Sequence, residues 1–299
     1  MIPLIPNDDI SDLPYTQTVS YIDTIHIGFM ILPTAADIRL LKKLCKSVKL
    51  RTRDPMKHYY PVLYKYKLEL HVPSKYALMY LQKRYSDLYS VSRVDVALDL
   101  VTQNVFDALY IKKWTGWRIP KQSKRKAEWY ISKYDSEDYI EECTLYSPYD
   151  LEAEKQYVIY ADRPSKITND PCCHIEVRIR RNIPRFFDCQ RNGILRRLAN
   201  LDYKEFWSQH LTLKDVTEES VGLAVIRDVF KRKARKGKKL WDYIDAFGRT
   251  RNNLKKNGAY FLHANPKVRS LAHLHDQGIE MKHFKKLDIT PILPCNDGV

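Results

Sequence analysis

The chain lacks the features that mark membrane, secreted or disulfide-stapled proteins. No run approaches the roughly 18 consecutive apolar residues of a membrane-spanning helix. The N-terminus, MIPLIPNDDISDLPY, has neither a basic start nor an apolar stretch behind it, so no secretory signal is expected. The six cysteines, at 45, 143, 172, 173, 189 and 295, include no C-x-x-C pair. Adjacent Cys172 and Cys173 would point to opposite faces of a strand, which suits neither a metal knuckle nor a shared bridge, so reduced thiols are expected. These absences favour a soluble cytoplasmic protein with no membrane partner.

Acidic residues are short in one part of the chain only. Among 299 residues, 51 Lys+Arg face 36 Asp+Glu, a net charge of +15. Residues 1–177 hold 25 basic and 23 acidic residues, whereas residues 178–299 hold 26 and 13. Excess charge so concentrated points to a polyanion partner, nucleic acid before membrane. Within it, seven of the nine residues from Lys231 to Lys239 are basic, which makes Lys231, Arg232, Lys233, Arg235 and Lys236 candidate phosphate contacts. The 21 tyrosines offer rings that can stack unpaired bases as well as fill a core.

Taken in order, residues 1–20 read as an extended leader. Period-2 alternation predicts strands over Thr24–Leu32, Tyr60–Val72 and Tyr89–Val101, and helical spacing predicts helices over Ala35–Lys46 and Lys75–Ser86, the latter capped by Ser74. A polar, basic segment, Lys49–His58, is expected to connect the first helix to the second strand. Residues 103–113 read as helical. The following WTGWRIPKQSKRK stretch is a basic loop or hairpin, in which Trp117 and Arg118 either stack a base and grip a phosphate or close a core. Strands alternating with amphipathic helices predict an α+β fold, a ferredoxin-like antiparallel sheet with helices on one face and the other face free for a ligand. After Ile183-Pro184 the chain reads as helical, with helices over Gly193–Asn200, Tyr203–His210, Glu218–Arg235 and Trp241–Phe247 and more beyond Pro266. The expected organisation is therefore a leader (1–20), a sheet domain (21–182) and a basic helical portion (183–299).

Three strand-like runs present polar faces. In SRVDVALDL, Arg93, Asp95, Ala97 and Asp99 oppose Val94, Val96, Leu98 and Leu100. Asp95 and Asp99 lie about 13 Å apart along such a strand, so Asp95 is the better single ligand for a hard cation. In Tyr157–Ala161, the side of Val158 and Tyr160 opposes Tyr157, Ile159 and Ala161. In HIEVRIR, His174, Glu176, Arg178 and Arg180 share one face, with His174 a candidate ligand or acid–base group. A phenol, carboxylates and guanidinium groups on one sheet face make a plausible surface for phosphate chemistry. The motif His273-Leu274-His275 does not, because it falls in a helix-like stretch where residues i and i+2 diverge by about 200°.

With these motifs in place, residues 20–182 resemble the replication initiation factor (Rep_trans-like) family, the rolling-circle initiators of small plasmids and filamentous phages. That family's pattern runs RIDLALDF-like, TLYLGSR-like, RIYDK-like and RVELELR-like. This chain has SRVDVALDL at 92–100, TLY at 144–146, YVIYADR at 157–163 and HIEVRIR at 174–180, in that order. Ser147-Pro148-Tyr149 replaces the Gly-Ser-Arg after TLY, and Asp162 stands where the family has a basic residue. The resemblance implies a fold related to the HUH endonucleases, often duplicated, without their histidine pair. It implies an enzyme that nicks one strand of single-stranded or hairpin origin DNA, becomes joined to the 5' phosphate through tyrosine, leaves a 3' hydroxyl and later rejoins strands. Tyr160 would be the nucleophile, with Tyr146 and Tyr157 as alternatives. Asp95, Asp99 and Glu176 would hold Mg2+ or Mn2+, and Arg178, Lys166 and Arg163 would offset phosphate charge, with Arg180 on the same polar face as a DNA contact. A bacterial host would supply helicase and polymerase, and a homodimer is compatible with this scheme. A non-catalytic DNA-binding control protein is the alternative from another class.

The basic run carries its own expectation. If it neutralises about five phosphates, the logarithm of the DNA-binding constant falls with the logarithm of salt concentration at a slope near ~ -4.5, which fluorescence anisotropy across a salt series measures.

Overall fold

The computed structural model describes residues 5–52, 63–120, 128–130, 144–147, 154–234, 251–265, 268 and 270–294. Its first half runs β1 (Gln17–Phe29), α1 (Ala35–Leu44), β2 (Cys45–Thr52), β3 (Tyr66–Pro73), α2 (Lys75–Tyr85) and β4 (Tyr89–Val101). These strands lie side by side in the order β2-β3-β1-β4, and every pairing is antiparallel. This is the ferredoxin-like β-α-β-β-α-β connectivity. Next come α3 (Val105–Gly116), β5 (Glu128–Tyr130), β6 (Thr144–Ser147), β7 (Lys155–Tyr160) and β8 (Cys172–Ile179). The last strand, β8, returns to pair with β4, giving one antiparallel sheet of eight strands, β2-β3-β1-β4-β8-β7-β6-β5.

One face of this sheet is the core. Ile25, Ile27 and Phe29 of β1, Val94, Val96, Leu98 and Leu100 of β4, and Ile175, Val177 and Ile179 of β8 pack with Leu41 of α1, Leu78 and Leu81 of α2, and Ile111 and Trp114 of α3. All three helices thus cover the same face, and the opposite face carries the polar residues of each strand. Cys172 and Cys173 do point to opposite faces, and both are free thiols, as are Cys45 and Cys189. Among the described residues, no helix is long and apolar enough to cross a membrane.

Local signals explain most boundaries. Ser74 and Asn104 cap α2 and α3 by accepting from the Ala77 and Asp107 amides. Thr34 and Asp37 form a reciprocal capping box at the start of α1. Asp37 does more, since its buried carboxylate also accepts from the hydroxyls of Tyr80 and Tyr85 on α2, locking the two helices together. Burial opposes its ionisation, yet the hydrogen bonds from Thr34, Tyr80 and Tyr85 outweigh that and hold the carboxyl well below the usual range.

Several expectations are corrected. Strand β1 starts at Gln17, before the expected Thr24, and β3 starts at Tyr66. The supposed connector from Lys49 begins inside β2, an edge strand whose Lys49 and Arg51 alternate with Val48 and Leu50. Part of the leader is packed: Ile5, Ile10 and Leu13 are buried, and the Asp8 carbonyl accepts from the Trp114 indole. Beyond the sheet, helices cover Ile183–Phe186, Ile194–Ala199, Tyr203–His210, Glu218–Ala234 (α7), Arg251–Ala264 and Leu271–Asp276. Of these, Ile183–Phe186 and Arg251–Ala264 were not expected, while the expected helix at 241–247 lies outside the described residues. His273 and His275 do sit on a helix.

Asp37→Ala removes three charge-assisted contacts and a cap, so it should destabilise the fold by about 3 kcal/mol in urea unfolding. Because the folded carboxyl ionises more readily than the unfolded one, the Asp37 contribution is present above about pH 4 and fades as pH falls further. The gap between wild type and Asp37→Ala should narrow accordingly in acid.

Candidate functional site

The polar face gathers charge through the sheet register. Asp95 of β4 stands opposite Arg178 of β8, Ala97 opposite Glu176, and Asp99 opposite His174. One strand further, Glu176 faces Val158 and His174 faces Tyr160 of β7. On the other flank, β1 carries a bulge: Ile22 pairs with Val96 and Thr24 with Asp95, leaving Asp23 as the extra residue. A bulge lets two consecutive side chains share a face. Both Asp23 and Thr24 accordingly border the site, and the Thr24 hydroxyl is 3.0 Å from the Asp23 carboxylate.

Asp23, Asp95 and Glu176 converge, one carboxylate oxygen of each lying within 4.8 Å of the others, and all three are buried. This set of three hard oxygen donors on three adjacent strands could hold a divalent cation. Each also has a cationic partner. Arg93 grips Asp95 through both nitrogens of its fork, Arg178 donates to Glu176, and Lys166 Nζ lies 2.5 Å from Asp23. Burial and the Glu176 charge push the Asp95 carboxyl up despite Arg93, whereas hydrogen bonds and charge from His174 and Arg178 overcome burial and hold Glu176 low.

Asp99 belongs to a neighbouring buried group. It accepts from His174 Nδ1 at 2.6 Å and from the Tyr21 hydroxyl at 3.1 Å. His174 Nε2 lies 3.4 Å from Glu176, so the imidazole bridges a carboxylate outside the trio to one within it. Burial disfavours the charged ring, but these hydrogen bonds from both nitrogens prevail and raise His174 to about 9. Its ring stacks on Tyr160, with centroids 4.4 Å apart. Tyr160 itself is 9% exposed, and burial followed by the Glu176, Asp23 and Asp99 charges pushes its phenol up.

The β7–β8 connector folds over one end of this face. Its Ile167 packs on a small apolar cluster of Val19, Tyr21, Ala97, Val101 and Cys172, and its Asn169 adopts a left-handed conformation (φ 64°) that asparagine tolerates. What remains open is a pocket of about 230 Å³ bordered by the acidic trio, Tyr160, Tyr146, Arg163, Lys166 and Arg178. The Arg163 guanidinium lies 5.7 Å from the Tyr160 ring centroid, and Arg178 lies 5.7 Å from that of Tyr146.

The structure thus brings together Tyr160, Lys166, Arg178, Arg163, Asp95 and Glu176, and sets Asp99 one contact away, behind His174. Arg180 lies further along the same face, bonded to Gln156 at 3.0 Å. Tyr157 is ruled out as a nucleophile in this pocket, for it is buried on the helix-covered face with its hydroxyl on the His210 carbonyl. Trp117 and Arg118 are corrected from DNA contacts to core residues. Trp117 packs with Ile5, Val216 and Leu271, while Arg118 is 3% exposed and donates to the Trp114 and Pro6 carbonyls. Lys231, Arg232 and Lys233 lie on α7; Arg235 and Lys236 fall outside the described residues. The sequence reading missed Asp23, Thr24, His71 and Arg93 as pocket residues. Its only available signal was the adjacent polar pair Asp23-Thr24 interrupting an alternating run.

No family model matches the chain, and no curated protein matches it either.

Calorimetric titration with Mn2+ checks the ligand set. Asp23→Ala should abolish measurable binding, while Asp99→Asn, acting only through His174, should weaken it about tenfold. The reverse order would show that Asp99, not Asp23, is the ligand.

Proposed function

We propose that this protein is a rolling-circle replication initiator that nicks one strand of single-stranded or hairpin DNA through Tyr160 and later rejoins strands. The observation that carries this reading is the sharing of one pocket by two phenols, Tyr160 and Tyr146, three converging carboxylates and four cationic side chains, Arg93, Arg163, Lys166 and Arg178. It also draws on the HUH-related fold and the motif order that the sequence resemblance implies, and the ferredoxin-like connectivity of the first half is consistent with both.

The chemistry follows from the residues. The Tyr160 oxygen attacks the scissile phosphorus, the bond to the 3' oxygen breaks, and the downstream strand is held as a 5'-phosphotyrosine while the upstream strand leaves with a 3' hydroxyl. One phosphodiester replaces another, so a 3' hydroxyl can reverse the step and release the phenol. The phenol proton passes to a pocket carboxylate and from there to the departing 3' oxygen, which leaves as the hydroxyl. Arg163, Lys166 and Arg178 meet the charge that grows on the phosphate oxygens. His174, stacked on the phenol ring and tied to Asp99 and Glu176, fixes where the nucleophile points. Asp23, Asp95 and Glu176 would hold Mg2+ or Mn2+, which when bound polarises the phosphate and favours the ionised phenol. Burial, followed by the Glu176, Asp23 and Asp99 charges, pushes the phenol up.

One observation favours the second reading, a non-catalytic DNA-binding control protein. Each carboxylate of the trio already has its own cation, so the group could serve as a balanced internal network.

Incubation with a 3'-labelled single-stranded oligonucleotide and Mn2+ separates the two. A labelled protein band resistant to denaturation is expected, and Tyr160→Phe should lower its formation at least a thousandfold, as loss of a covalent nucleophile does. No adduct with any origin-like sequence would leave the second reading. An undiminished adduct in Tyr160→Phe would move the nucleophile to Tyr146.

A further inference from the structure

The polar face is covered at one end by the β7–β8 connector, and towards the other end the Tyr64 side chain lies over Gly28 of β1. The connector carrying Ile167 covers the end near Val72 and Val101. Away from it, the register places Lys49 beside Glu69, Arg51 beside Lys67, and His26 between Glu69 and Arg93. These pairs put Lys49, Arg51, Lys67 and Arg93 on the same face as the pocket, in a band of two adjoining cross-strand rows, Arg93–His26–Glu69–Lys49 and Ser90–Gly28–Lys67–Arg51, that leads to the β2 edge. Lys49 and Arg51 are exposed. Glu69 is the acid in this band, and His71 at 2.8 Å and Lys49 at 3.6 Å already answer it.

We propose that this band is the track along which single-stranded DNA leaves the pocket, with Lys49 and Arg51 gripping its phosphates. This rests on the DNA-nicking reading and adds to it the path of the substrate. Charge complementarity and continuity with the pocket carry the argument: Arg93 and His71 border the pocket, and Lys67 and Arg51 extend the line from them to solvent. Burial lowers His26 to about 3, and the Lys67 and Arg93 charges add to this against the opposing charge of Glu69. A single strand suits the site better than a duplex, since the Tyr160 oxygen sits in a pocket of only about 230 Å³.

The test uses the full chain and a fluorescent single-stranded oligonucleotide in EDTA, so that binding is measured without chemistry. Lys49→Gln with Arg51→Gln should weaken binding about tenfold and reduce the salt slope by ~1.4, two single-strand phosphate contacts at ~0.7 each. Lys42→Gln with Lys43→Gln removes equal charge from α1, on the helix-covered side, and should change neither quantity appreciably. Equal losses in both pairs would reduce the effect to net charge and overturn the track, as would no loss in the first pair. A loss seen with RNA of the same sequence and not with DNA would also overturn it. The adduct assay keeps the two claims apart. Normal binding by the Lys49/Arg51 variant alongside a Tyr160 adduct sinks the track alone. Weakened binding with no adduct from any protein sinks the nicking reading and leaves the track.

Discussion

Four carboxylates lie buried at the centre of this sheet, and the surrounding structure has to answer their charge. An ion taken out of water costs several kcal/mol, and only close, well-directed partners repay it. Asp23, Asp95 and Glu176 meet Lys166, Arg93 and Arg178, and Asp99 meets His174, so four anions face four cationic groups. The carboxylates come from β1, β4 and β8 and their partners from β4, β8 and the β7–β8 connector. The sheet register, the bulge and the fold-back of the connector can therefore be read as conditions for this balance.

The same balance bears on what the pocket can do. A cation entering the trio must compete with Lys166 and the two arginines for carboxylate oxygens. On the proposed reading, side chains so displaced would be free to meet phosphate, whose charge has the same sign as that of the carboxylates. One set of side chains can thus neutralise the resting pocket and serve the loaded one. His174 stands apart from this exchange, because its two nitrogens are held by Asp99 and Glu176 and its ring by Tyr160.

Much of this was legible in sequence. The alternation in SRVDVALDL and HIEVRIR correctly separates core from polar face, and helical spacing with Ser74 as cap locates α2. Two kinds of information were hidden. The bulge at Asp23 breaks the period on which strand reading depends, so β1 was entered at Thr24 and its acid was lost. Local pattern also cannot tell which strands become neighbours, so Asp99 looked equivalent to Asp95 until the β4–β8 register set one against His174 and the other against Arg178. Trp117 and Arg118 failed differently. Their basic neighbourhood suggested a surface, while the indoles beside them and the carbonyls of Trp114 and Pro6 drew them into the interior.

The seam between β4 and β8 has a consequence for how the protein comes into being. Paired residues such as Asp99 and His174 are 75 positions apart in the chain. Closing so long a loop is slow compared with forming the local α1–β2 and β2–β3 contacts. During synthesis, a nascent chain that has reached only β7 holds Asp23, Asp95 and the phenol but neither Glu176 nor Arg178. The acidic trio therefore cannot assemble in any truncated product that stops short of β8. Completion of the sheet and assembly of the trio become one event, which under the proposed function would keep an unfinished polypeptide from breaking DNA.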